Sequence, residues 1–236
     1  MATGTKSYAK RSYKSVGTRP VRHDGIDKLI GTALYGADIK LSGMLHAKVL
    51  RSPYPHARIL SIDTSKAEDH PSVRAVITSD DLPPQAAYGR GGGETANRDP
   101  IIGSTKVLYK GHPVAAVAAT SVHEAEEALS LIDVEYEPLP FASNLDDALT
   151  PDAPILHEDW IGDGLAADDE SFSHHNVAAH EYHSGGNLDM GFAQADEIFD
   201  RKFRTKTVHQ GYIEPQNALA SWSPDGQLTI WCSSQG

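Results

Sequence analysis

The chain has 236 residues, 39% of them apolar and 22% charged, with a formal net charge of −11, enough for one large domain or two modest ones. An acidic surface repels phosphate backbones, which speaks against nucleic acid as a partner, and no stretch approaches the roughly 20 apolar residues of a membrane helix. The single cysteine, Cys232, excludes an internal disulfide and any iron–sulfur cluster or cysteine-rich zinc site held by this chain alone; the cytoplasm, a reducing compartment, is the expected location.

Residues 1–18 are basic and polar, lack the apolar core of a secretory signal, and read as a flexible tail. Ile26, Leu29 and Ile30 have helical spacing, with Asp24 or Asp27 as the cap. Met44–Leu50 alternates as a strand. RSPYPHAR, residues 51–58, carries Pro53 and Pro55 and must be an extended connection, not a helix. Ile59–Ile62 is a second strand, Asp63-Thr64 opens a short helix through Glu68, and Val73–Ile77 is a third strand. Residues 85–100, with Gly91-Gly92-Gly93, read as a surface loop. Val107–Tyr109 is a short strand, and VAAVAA (Val114–Ala119) a buried one. The clearest helix runs from Ser121 to Ile132: Ser121 is the N-cap, Glu124 stands at capping-box distance, and Val122, Ala125, Leu129 and Ile132 share a face. Val134–Tyr136 is a strand stopped by Pro138 and Pro140.

Residues 143–186, rich in Asp, Pro, Gly and His, read as an extended linker. Met190–Glu197 is expected to be helical, and Ile198–Thr207 a half-exposed strand. Leu219–Trp222 and Gln227–Ser233 flank Ser223-Pro224-Asp225-Gly226, a β-hairpin with a Pro-Asp-Gly turn. Cys232, at period two with Leu228 and Ile230, is expected to be a buried core thiol. The order predicts an α/β (α+β) architecture: tail 1–18, a domain with mixed sheet and helices at 19–142, a linker at 143–189, and a hairpin opening a second domain at 190–236. The chain stops directly after this strand, so a fragment with an uncovered, poorly soluble hairpin is expected.

Several chemistry-bearing patterns have bland readings that win. His174, His175, His180 and His183 have spacing for a metal site, but no helix signal places them on one face. Gly91-Gly92-Gly93 lacks the Gly-Lys-Ser/Thr that completes a phosphate loop. No G-x-S-x-G elbow supports a hydrolase.

Four blocks then point to a family. D-x-x-x-K-L-I-G-x-A-x-Y-x-x-D (Asp24 to Asp38), GMLHAKVLRS (Gly43 to Ser52) and PHARI (Pro55 to Ile59) form the first. YKGHPVAAVAA (Tyr109 to Ala119) with VEYEPLP (Val134 to Pro140) form the second. GFAQAD (Gly191 to Asp196) is the third, and HQGYIEP (His209 to Pro215) with WCSSQG (Trp231 to Gly236) the fourth. In this order they resemble the molybdenum-binding subunit of the xanthine dehydrogenase/aldehyde oxidase family: its a/b hammerhead domain and the start of its first molybdopterin-binding domain. The resemblance covers residues 19–236.

The resemblance implies an oxidoreductase that hydroxylates an aldehyde, N-heterocycle or related carbon centre with oxygen from water. It implies a molybdenum–pyranopterin cofactor, as molybdopterin or its cytosine dinucleotide. Electrons then pass to iron–sulfur and FAD groups on partner subunits or domains. Gln235, in Ser234-Gln235-Gly236, matches the family glutamine beside the molybdenum's oxo ligand, where a neutral amide donates without adding charge; Gly236 goes with it as a cofactor-binding position. Glu214 matches a glutamate before the hairpin and is expected to be a supporting hydrogen-bond acceptor. The catalytic base, the substrate-positioning arginine and most pterin contacts are expected beyond Gly236, so no catalytic residue and no direct metal ligand falls here, and the chain alone is expected to be inactive. The alternative reading is a non-catalytic assembly subunit of a split molybdenum enzyme.

Overall fold

The computed structural model describes residues 14–82, 101–158, 176–177, 183 and 185–234. They divide into two units: residues 42–202, and the segments before and after them, 1–41 with 203–236. The glycine-rich loop at 85–100, most of the tail, three of the four clustered histidines, and Gln235 and Gly236 lie outside the described residues.

The first helix, α1 (Gly25–Ile30), ends at Gly31, whose φ of 77° supplies the left-handed cap. Asp24 does occupy its N-cap position, but without a side-chain cap bond. Its carboxylate is taken by Arg22 at 2.6 Å and by Lys28 one turn on. Two cations outcompete the neutral N–H groups and hold the carboxyl far below its ordinary range.

Residues 42–202 carry the main core. The strands are β1 (His46–Arg51), β2 (Ala57–Asp63), β3 (Val73–Ile77), β4 (Lys106–Val107), β5 (Pro113–Ala119) and β6 (Asp133–Pro138); α2 (Ser65–Glu68) follows β2, and α3 (Val122–Leu129) follows β5. They form two three-stranded sheets, β1-β5-β3 and β4-β2-β6. The expected α/β class holds, and every pairing in these sheets is antiparallel. β5 is central because its small apolar run is tolerated on both faces: Ala115, Val117 and Ala119 are buried with Val114. α3 presents Ala125 and Ala128, both fully buried. Small side chains there let the helix approach the sheet closely. Ala128 packs with Ala67, Ala115, Val117 and Ile132. A second cluster, Ala57, Val107 and Val114, lies under the other sheet. Ile62 and Val134 pack against both clusters and weld them together.

Ser121 caps α3 as expected, its Oγ accepting from Glu124 N–H at 3.3 Å. The glutamate side chain has a different use from the one its spacing suggested. It accepts from Thr120 Oγ1 at 2.5 Å and from the Ser72 hydroxyl, tying α3 to the start of β3. Those hydroxyls, Ser72 first, hold its carboxyl down to about 2.

The RSPYPHAR connection is pinned rather than loose. Ser52 is buried; its N–H donates to His112 O at 2.9 Å and its carbonyl accepts from Gly111 N–H at 2.9 Å. Gly111, at φ 90°, makes that return possible. Buried His56 donates through Nδ1 to Pro140 O at 2.7 Å. Beyond β6, Asn144 caps a short helix, α4 (Leu145–Ala148), inside the expected linker. Asn176 fastens this stretch, donating to Ala148 O and Pro154 O at 3.1 and 2.9 Å. The next helix, α5, runs Leu188–Gln194 with Asn187 as cap.

In the other unit, β7 (Ala218–Trp222) pairs antiparallel with β8 (Leu228–Cys232). Gly226, at φ 86°, closes the turn, and the Ser223 hydroxyl holds the Asp225 carboxyl below its ordinary range. Two expectations fail from residue 198 onward. No strand forms over 198–207: all ten residues are exposed, and alternation makes a strand only where a neighbour supplies the ladder. Cys232 is exposed rather than buried. Period two fixed which face it shares, but that face carries no cover.

Candidate functional site: the base of the hairpin

The end of β8 is fastened by one side chain. Ser233 Oγ donates to Pro215 O at 2.9 Å and accepts from Asn217 N–H at 3.0 Å, while Ser233 N–H donates to Asn217 O at 3.1 Å. Three bonds thus join the strand end to the loop that enters β7. They bring Glu214 and the strand that leads to Gln235 to the same end of the hairpin.

The entering loop is itself ordered by local bonds. His209 Nδ1 accepts from Gly211 N–H at 3.0 Å, and Gln216 Nε2 donates to Tyr212 Oη at 2.7 Å. Gly211 supplies the positive φ of 67° that the bend requires. Glu214 is exposed on this loop, with its side-chain oxygens open to solvent. Gln235 and Gly236 follow Ser234, the last described residue.

Asn217 is the residue that sequence reasoning missed. Both atoms of its amide, Oδ1 and Nδ2, are buried and without a hydrogen-bond partner, an arrangement that costs free energy unless function or a further contact repays it. Its neighbour is Gly36, in a 3-10 turn at Gly36–Asp38. A Cβ at Gly36 would overlap the Asn217 amide oxygen. The position therefore needs glycine for closeness, not for backbone angle. Neither residue carries a local motif that announces this.

Elsewhere, a groove of about 400 Å³ on the 42–202 unit is lined by Tyr54, Ser61, Asp63, Asp133, Glu135 and Tyr136. Its carboxylates disfavour any anionic or phosphate-bearing ligand. Burial pushes the Tyr136 phenol up. Among the described residues no group of three or more His, Cys, Asp or Glu is placed to hold a metal. Of the histidine cluster only His183 is described. No described helix is long and apolar enough to cross a membrane.

Two family models match in series. Residues 30–140 match the aldehyde oxidase and xanthine dehydrogenase a/b hammerhead domain, and residues 170–236 match the molybdopterin cofactor-binding domain. The chain is 34% identical to a probable xanthine dehydrogenase subunit of Bacillus subtilis, over 91% of this chain and 26% of that protein. It is 32% identical to the nicotinate dehydrogenase large molybdopterin subunit of Eubacterium barkeri, over 95% of this chain and 48% of that one. The crystal structure of quinoline 2-oxidoreductase from Pseudomonas putida 86 superposes with a TM-score of 0.78 at 29% identity, over 95% of this chain and 27% of that one. The class is thus defined by a hammerhead domain followed by a molybdopterin cofactor-binding domain. The chain belongs to the xanthine dehydrogenase/aldehyde oxidase family of molybdenum hydroxylases. It spans between about a quarter and a half of the length of these relatives.

Proposed function

We propose that this chain is the leading portion of a molybdenum hydroxylase subunit and that Gln235, with Gly236, contributes the first of its cofactor contacts. The observation that carries the reading is the serial match of both family regions across the chain. The clamp at Ser233 supports it, because a strand end held by three bonds is a firm base from which to present the next side chain.

The donor set fits such a group. Ser233 spends its hydroxyl proton on Pro215 O and is not itself a donor to the group; Asn217 and Gln235 are neutral amides, and Glu214, the carboxylate of the entering loop, is exposed. Neutral donors approach an oxygen-rich, electron-demanding centre without repelling it or altering its charge. When bound, the molybdenum–pyranopterin group supplies the two-electron oxidation of a carbon centre. The chain's own part is to hold position. Ser233 fixes the strand, the Gln235 amide donates a hydrogen bond, and Glu214 serves as an acceptor at the loop surface rather than as a base.

The finer reading is an enzyme that hydroxylates an aldehyde, an N-heterocycle or a related carbon centre with oxygen from water. Its cofactor is molybdopterin or the cytosine dinucleotide form, its electrons leave to iron–sulfur and FAD partners, and it works in the cytoplasm. The substrates named for relatives run from xanthine, nicotinate and quinoline to carbon monoxide and aldehydes, which supports oxidation at a carbon centre without choosing among them. The test is Gln235→Ala in the full gene product, followed by molybdenum paramagnetic resonance and turnover. Unchanged molybdenum content, an altered resonance and turnover reduced about 10–100-fold are expected for a residue contacting the metal's ligands. An unaltered resonance with full turnover removes Gln235 from the site.

A further inference from the structure

Asn217 stands at the entry to β7, across from Ser233, which holds its backbone in both directions. The Asn217 N–H donates to Ser233 Oγ at 3.0 Å, and its carbonyl accepts from Ser233 N–H at 3.1 Å. The backbone is thus fixed, yet the side chain is closed off from solvent with neither amide atom bonded. A buried amide without partners weakens a fold, and an apolar side chain of similar size does not. Neither water nor a hydrogen bond accounts for this amide; what it does have is a packing contact. A Cβ at Gly36 would lie 3.2 Å from Asn217 Cγ and 3.3 Å from Nδ2, and would overlap Oδ1. Gly36 opens the 3-10 turn Gly36–Asp38, which packs against β7. That turn is closed by two bonds of its own: Tyr35 N–H donates to Asp38 Oδ2 at 3.0 Å, and Asp38 N–H donates to Tyr35 O at 2.9 Å. A closed turn, a bare glycine, an amide and Ser233 therefore form one continuous stack. It ends on the strand that leads to Gln235.

We infer that Asn217 is a positioning residue for the cofactor contact: its amide is a spacer between the Gly36–Asp38 turn and Ser233, and that spacing sets where the strand beyond Ser233 runs. This rests on the functional reading above. The size of the amide does the setting, since the amide makes no hydrogen bond. Close-packed groups pass on small displacements because they have no free volume to absorb them. A methyl group added at Gly36 lengthens the stack and pushes on Asn217; truncating Asn217 to alanine shortens it. The two changes act in opposite senses, so the pair restores much of the original distance. The inference also gives the segment before residue 42 a task. Its contacts group it with residues 203–236, although the hammerhead match begins at residue 30.

The experiment uses the full gene product and three variants: Gly36→Ala, Asn217→Ala and the two combined. In metal-free protein, hydrogen exchange at the Ser233 amide is expected to quicken about tenfold in Gly36→Ala and to return toward the wild-type rate in the combined variant. In loaded protein, the molybdenum paramagnetic resonance is expected to shift in each single variant at unchanged molybdenum content, and to shift less in the combined one. A purely structural role moves the melting temperature and leaves the resonance where it is. Asn217→Ala breaks no side-chain hydrogen bond, so it carries the test by itself if Gly36→Ala does not fold. A wild-type resonance in loaded Asn217→Ala overturns the inference. So does a combined variant whose shift is as large as the two single shifts added together, and so does Ser233 exchange unmoved by folded Gly36→Ala. These three results leave the functional reading standing. A wild-type product that takes up no molybdenum removes the functional reading, and this inference with it.

Discussion

Ser233 acts as donor and acceptor at once, and this fixes what its replacement does. Ser233→Ala removes both hydroxyl bonds, to Pro215 O and from Asn217 N–H, and is expected to cost about 1 kcal/mol in denaturant unfolding; Ser233→Thr keeps the hydroxyl and is expected to cost less. Gly36 and Asn217 form a second residue-scale unit. Gly36→Ala is expected to destabilise by about 1–3 kcal/mol, as overpacking does, and by distinctly less when combined with Asn217→Ala, because the overlapping amide is gone. A double-mutant cycle with no coupling contradicts that contact. Glu124 is a third case. Its carboxyl is held down to about 2 by hydroxyl donors, below its ordinary 4.5. A depressed folded-state value means stability that is fully present above the unfolded value and is lost as pH falls through the folded one. Acid titration between those two values is therefore expected to weaken the protein, and Glu124→Gln to flatten that part of the profile.

At the scale of elements, α3 depends on small residues. Ala128 is fully buried against Ala115 and Val117, so Ala128→Leu is expected to cost about 1–3 kcal/mol, measurable as a lowered denaturant midpoint with an unchanged slope. The elements legible in the sequence were those whose pattern is complete in itself. The VAAVAA run of β5, the Ser121 cap of α3 and the Pro-Asp-Gly turn each carry their own cause. The elements that misled depend on a partner. Residues 198–207 alternate as a strand does but have no ladder, and Cys232 keeps period two on a face with no cover. Asp24 sits at a cap position, but Arg22 and Lys28 took its carboxylate. At the candidate site, Glu214 and Gln235 came from the resemblance alone. Ser233 and Asn217 were invisible because their bonds join residues 16 and 18 positions apart, and Gly36 because its glycine answers to a side chain 181 positions away.

At the scale of the molecule, the two units differ in kind. Residues 42–202 hold two welded apolar clusters and carry their own core. The unit with the hairpin holds the candidate cofactor contacts but no buried apolar residue among those described. The packing core among the described residues thus lies in residues 42–202, while the cofactor-binding-domain match takes in the hairpin.

The most direct test of the central claim is the molybdenum and pterin content of the full gene product, expressed in a host that loads a relative in parallel. Stoichiometric molybdenum together with a fluorescent pterin on oxidation is the result this account predicts. A folded, soluble product that carries neither, while the relative is loaded in the same cells, would contradict it.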